Sequence, residues 1–89
     1  MKKIFKYRLK NELSEENIML PDGFEILTIQ KQDDILSLWA IVDDTALEIP
    51  VIVYTYGTGW EIPSDHNGRY ITTLQSGRYV WHYFYKIDR

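Results

Sequence analysis

Apolar and polar residues alternate along most of this chain. Phe5, Tyr7 and Leu9 share one parity and Lys6, Arg8 and Lys10 the other, which predicts a strand over residues 3–9 with one face in water. Residues 24–30 form a second strand, and Gln32-Asp33-Asp34 reads as a tight reversal into residues 35–42. There the apolar residues occupy both parities, Ile35, Trp39 and Ile41 against Leu36, Leu38, Ala40 and Val42, which predicts the central and most buried strand. The β-branched content and the close flanking turns favour a strand over a helix of that length. Residues 49–56 are strongly β-prone, with Pro50 expected at the start or on an edge because it cannot donate to a ladder. Residues 69–74 and 78–85 complete a hairpin across Gln75-Ser76-Gly77. The polar stretch 11–17 reads as a loop with at most one helical turn, and Ile18-Met19-Leu20 leads into a turn at Pro21-Asp22-Gly23. The expected fold is all-β: a compact six-stranded antiparallel sandwich or small barrel-like sheet in one domain over residues 1–89.

Composition narrows this further. A chain of 89 residues buries only about 60–65% of the surface its unfolded form exposes, so the core must be economical. Aromatic residues make up 15% of the chain, and each ring buries roughly 150–250 Å², so rings supply either that core or an interface. Cysteine is absent, which excludes disulfides, thiolate zinc sites and thiol catalysis. The basic opening segment has no apolar stretch behind it, and the longest low-charge run, 49–60, is too short and polar to span a bilayer. A cytoplasmic protein without membrane attachment is the expectation. The net charge of −3 hides a segregation: residues 11–65 hold twelve of the thirteen acids and one base, Lys31. If the first and last strands paired, Lys2, Lys6, Arg8 and Lys10 would join Arg78, Lys86 and Arg89 on one basic face.

The richest segment is Tyr54-Thr55-Tyr56-Gly57-Thr58-Gly59-Trp60, where rings crowd against two glycines at a strand end. It reads as a binding loop. A P-loop would need Gly-Lys-Ser/Thr to follow and a dinucleotide fingerprint a third glycine opening a helix, so the glycines are expected to let the chain turn sharply. The two histidines, His66 and His82, have no partner at metal-ligand spacing, and His82 shares its parity with Val80 and Phe84, as a hydrogen-bonded core or edge residue would. The acid pairs Glu15-Glu16, Asp33-Asp34 and Asp43-Asp44 fall in expected loops, and no serine has elbow-like surroundings. Tyr79, Trp81, Tyr83 and Tyr85 share one face of the last strand, which reads as core or a protein interface or, with Arg69, Arg78 and Lys86 nearby, as a base-stacking platform.

The order of Leu38-Trp39-Ala40, Tyr56-Gly57-Thr58-Gly59, Tyr70-Ile71-Thr72-Thr73-Leu74 and Val80-Trp81-His82 resembles a family of short, uncharacterised proteins of bacteriophages and prophages, almost end to end. That resemblance implies a phage origin and a small β fold, and it carries over no catalytic residue. The reading that follows is a non-enzymatic phage accessory protein binding a host protein stoichiometrically in the host cytoplasm, an inhibitor of a defence component of the anti-CRISPR kind. Its expected binding residues are Tyr54, Tyr56, Gly57, Thr58, Gly59, Trp60, Arg69, Arg78 and Trp81, with no catalytic, metal or cofactor site. The alternatives are an oligomeric sponge for a nucleotide signal, with the Gly57-Thr58-Gly59 N–H groups on phosphate, and a single-stranded nucleic-acid binder or minor virion protein.

Overall fold

A computed structural model describes residues 1–10 and 14–88. Seven strands follow one another: β1 (Lys2–Arg8), β2 (Glu15–Pro21), β3 (Glu25–Gln32), β4 (Ile35–Asp43), β5 (Glu48–Gly57), β6 (Arg69–Ser76) and β7 (Tyr79–Ile87). They form a three-stranded sheet in the order β1-β4-β3 and a four-stranded sheet in the order β2-β5-β7-β6, both antiparallel. The sheets stack as an open sandwich, so the barrel alternative is not the one adopted. No helix occurs among the described residues, and none is long and apolar enough to cross a membrane.

The strand missing from the sequence reading is β2. Its burial alternates, with Glu16, Ile18 and Leu20 turned in and Glu15, Asn17 and Met19 out, yet three acidic or amide side chains at its start mask the pattern. A charged start suits an edge strand, which must discourage pairing with other chains. Glu16 has a local role as well, its carboxylate accepting the Lys10 backbone N–H at 2.9 and 3.0 Å. The expected loop over 11–17 is thus β-strand from Glu15 onward, and residues 11–13 lie outside the described part.

β4 is central in its sheet, as its two-sided apolar pattern requires, with Leu36, Leu38, Ala40 and Val42 facing the other sheet. Asp33 and Asp34 both adopt positive φ (52° and 64°), the two-residue reversal whose twist matches that of the flanking strands. The core between the sheets gathers Leu9, Ile29, Leu38 and Val42 from one side and Val53 and Tyr83 from the other, with Ile71, Leu74 and Trp81 packed against it. The first and last strands do not pair. β1 lies against β4 in one sheet and β7 between β5 and β6 in the other, so the expected merged basic face does not form. Lys3 instead binds Asp44 at 2.8 Å and the amino terminus binds Asp43 at 3.5 Å, both within the β4–β5 corner.

Candidate functional site: the aromatic outer face of the four-stranded sheet

Antiparallel register assigns every side chain of the four-stranded sheet to a face. Opposed residues share a side, so Tyr54 on β5, Phe84 on β7 and Tyr70 on β6 form one row, and Tyr56, His82 and Thr73 form the next. Both rows point away from the core. Tyr79, Trp81, Tyr83 and Tyr85 take the other parity, and Tyr83 is 2% exposed in the core. The face considered as a base-stacking platform is therefore the inner face, with Tyr79 exposed at its end, and the rings of the opposite parity form the outer face.

The two outer rows assemble around a residue from outside the sheet. His66, in the loop between β5 and β6, lays its imidazole edge-to-face against three rings: Phe84 at 5.0 Å, Tyr56 at 5.3 Å and Tyr54 at 5.6 Å between centroids, with interplanar angles of 84°, 89° and 88°. Tyr70 meets Phe84 in the same way at 5.6 Å. Five rings thus form one contiguous surface, in arrangements that add roughly 0.5–1.5 kcal/mol per pair beyond area burial. His66 Nδ1 lies 3.3 Å from the Tyr56 hydroxyl, while its Nε2 is buried without a hydrogen-bond partner. The ring has room because residue 68 is glycine: a Cβ there would stand 2.8 Å from His66 Cε1. Burial raises the Tyr56 phenol above its ordinary value near 10, and the neighbouring Tyr54, Glu15 and Asp65 push it further the same way.

His82 anchors the second row. Its Nε2 is 2.7 Å from the Thr58 hydroxyl and its Nδ1 3.0 Å from that of Thr73, which in turn lies 2.7 Å from the Tyr70 hydroxyl. A chain of hydrogen bonds therefore runs Thr58, His82, Thr73, Tyr70 across β7 and β6. His82 is hydrogen-bonded, as expected, but on the outer face of an interior strand and not in the core or at an edge.

The residues singled out in the sequence divide among several places. Tyr54 and Tyr56 lie on the outer face, and Thr58 joins it through His82. Gly57 and Trp81 lie at the end of the core, and the Trp60 indole, 53% exposed, covers them: it stands edge-to-face on Trp81 at 5.5 Å and fills the space a Gly57 Cβ would need, 2.8 Å from Trp60 Cε2 and Nε1. Of the two glycines in this segment Gly59, at φ 88°, uses glycine's conformational freedom, whereas Gly57 is there to admit an indole. The loop N–H groups of Thr58 and Trp60 are spent on Val80 and Gly57 carbonyls, at 3.1 and 3.0 Å. Arg78 sits in the β6–β7 turn beside Gly77, not in a strand. Arg69 opens β6 at the opposite end of β7 from the Gly57–Trp60 loop. Sequence reasoning missed His66, Tyr70 and Phe84 as members of the site. The parity of β7 and β6 carried a signal for the latter two, whereas a loop histidine had only the adjacent Asn67-Gly68 turn to mark it.

Among the described residues no group of three or more His, Cys, Asp or Glu could hold a metal ion. The whole chain, residues 1–89, matches a family model described as Domain of unknown function (DUF7352), and the chain belongs to that family. No curated protein and no solved structure matches it.

Proposed function

For this member of a domain family without an assigned activity, we propose stoichiometric binding to a protein partner through the outer face of the four-stranded sheet, without chemical transformation of that partner. One observation carries the reading: the water-facing side of an antiparallel sheet, ordinarily polar, holds the five contiguous rings of Tyr54, Tyr56, His66, Tyr70 and Phe84. Tyrosine and phenylalanine are enriched at interface centres, and rings already held by packing lose little rotamer freedom on binding. Glu15, Asp65 and Lys86 border the patch and supply a charged rim, which governs encounter and partner choice more than affinity. The resemblance of its segments to short phage and prophage proteins supports, as the partner class, a host defence component such as a CRISPR effector, met in the host cytoplasm. Trp81 packs against the core, and the exposed Trp60 covers it at the end of the sheet.

The nucleotide-sponge alternative relied on the N–H groups of Gly57, Thr58 and Gly59, and of these Thr58 donates its own to the Val80 carbonyl. The single-strand-binding alternative loses Tyr83 to the interior and keeps Trp81 and Tyr85 only half-exposed, which leaves Tyr79 as the one open ring of that face.

The test is capture from the native host by wild-type protein and by a Tyr54→Ser/Tyr70→Ser variant, followed by calorimetry with the purified partner. The expected outcome is a stoichiometry near one to one, with affinity lost in the variant while its melting temperature is largely kept. Equal affinity of both forms, or turnover of any compound by the purified protein, contradicts the proposal.

A further inference from the structure

We propose a second, separate site: the hollow between the β2–β3 turn and the β6–β7 pair binds a small planar molecule bearing an oxyanion group, phosphate or carboxylate. The proposal does not rest on the protein-binding reading above and concerns the far end of β7 from the Trp60 loop. The hollow measures about 370 Å³, within the roughly 300–1,000 Å³ of small-molecule sites.

Local sequence builds it. Pro21-Asp22-Gly23 reverses the chain, with Gly23 at φ 84°, and delivers Phe24 to the edge of Tyr85, ring centroids 5.6 Å apart at 66°. Both rings are half-buried and form an apolar wall. Arg69 is the register partner of Tyr85 on β6, so its side chain leaves the sheet beside the phenol, and Lys86 follows Tyr85 in sequence. Asn67 adds an amide, and Asp22 is the single acid among the lining residues. Two cations against one acid make this corner locally positive on a chain of net charge −3. Among the described residues neither Arg69 nor Lys86 forms an ion pair, the only two salt bridges there being those of Lys3 and the amino terminus.

Unpaired surface cations are ordinary by themselves. What distinguishes these two is that both border one concavity with an aromatic wall and an amide, Arg69 from the Tyr85 side of the sheet and Lys86 from the Phe84 side, which together match a ring carrying a negative group. A guanidinium can grip such an oxyanion through two parallel hydrogen bonds, whereas Lys86 acts as a point charge and also borders the smaller hollow near Glu15 and Asp65, which compete for it. Arg69 should therefore matter more than Lys86. A single open corner, on a protein of net negative charge, fits a small anion and not a nucleic-acid backbone, which needs an extended basic stripe.

The test is titration of isotope-labelled protein, followed by amide chemical shifts, with phenyl phosphate, benzoate, adenosine 5′-monophosphate and inorganic phosphate. The ring-bearing anions should saturate shifts at Gly23, Phe24, Asn67 and Arg69, and inorganic phosphate should bind more weakly because it leaves the aromatic wall uncovered. Comparable binding of benzoate and phenyl phosphate identifies a general oxyanion site, and preference for the phosphates narrows it to phosphate. Arg69→Gln should weaken binding on the order of tenfold or more and Lys86→Gln less, while Arg78→Gln and Tyr70→Ser leave it unchanged. No saturable shift up to roughly 10 mM of any ring-bearing anion, or binding that survives both Arg69→Gln and Lys86→Gln, overturns the site. Because the Tyr70→Ser variant separates the two surfaces, failure here is distinct from failure of the protein-binding proposal.

Discussion

The two faces of the four-stranded sheet are made of the same kinds of residue and do different things. On β7 alone, Trp81, Tyr83 and Tyr85 turn inward while His82 and Phe84 turn outward, one position apart at every step. Inward, Tyr83 meets aliphatic side chains of the other sheet while Trp81 and Tyr85 meet the rings of Trp60 and Phe24, and area removed from water holds them there. Outward rings meet other rings, two histidines and two threonines, held by edge-to-face geometry and hydrogen bonds that stay accessible to a partner. The difference teaches that aromatic content alone does not distinguish a core from a recognition surface. Parity does, once the inner side is known.

The largest effect expected from that contrast is on stability. Tyr83→Ala opens a cavity behind a side chain 2% exposed and should cost about 3–5 kcal/mol, whereas Tyr70→Ser, at 59% exposed, should cost about 1 kcal/mol or less. Urea denaturation of the two variants checks the order, and similar losses would erase the distinction between the faces.

Next in size is the end of the core. Gly57 has no positive φ, so alanine there is tolerated by the backbone and opposed only by the Trp60 indole. Gly57→Ala should lose about 1–3 kcal/mol, and most of that loss should vanish in a Trp60→Ala background. A double-mutant cycle by thermal melting measures the coupling, and additive losses would mean that the indole is not the obstacle.

A smaller change tests the outer network. Thr73→Val leaves His82 Nδ1 and the Tyr70 hydroxyl without their shared partner and should cost about 0.5–1.5 kcal/mol. The same substitution should weaken partner binding more than it weakens folding, because it frees Tyr70 to leave its place on Phe84. Equal effects on the two would assign the network to the scaffold alone.

The smallest expected effect comes from pH. Burial raises the phenols of Tyr83, Tyr56 and Tyr7 above their ordinary value near 10, so the folded state holds these protons longer than the unfolded chain does. The resulting stability is complete below about pH 10 and is lost as pH rises through the folded-state values. Melting temperatures between pH 8 and 11 should therefore be level at first and then fall, and Tyr83→Phe should flatten the fall.

Much of this fold was legible in the chain. Six of the seven strands follow from period-two patterning, β propensity and close flanking turns, the double-sided apolar run of residues 35–42 marks β4 as central, and Asp33-Asp34 marks its hairpin. Three features were not legible, each for a physical reason. β2 hides because an edge strand profits from charges that read as loop. Period two separates Tyr83 from Phe84 but does not say which is buried, since that depends on how the sheets stack. His66 joins Tyr54, Tyr56 and Phe84 from a loop, and its place depends on the space left by Gly68, a contact that local pattern does not encode.

Site-specific photocrosslinking tests the central claim most directly. Tyr70 and Tyr79 are almost equally exposed, at 59% and 60%, and lie on neighbouring strands of one sheet but on opposite parities. With p-benzoylphenylalanine at each position in turn, in the native host, the account expects one discrete protein adduct from position 70 and none from position 79. The same adduct from both positions, or an adduct from position 79 alone, would contradict the claim that the outer face of this sheet is the surface that binds.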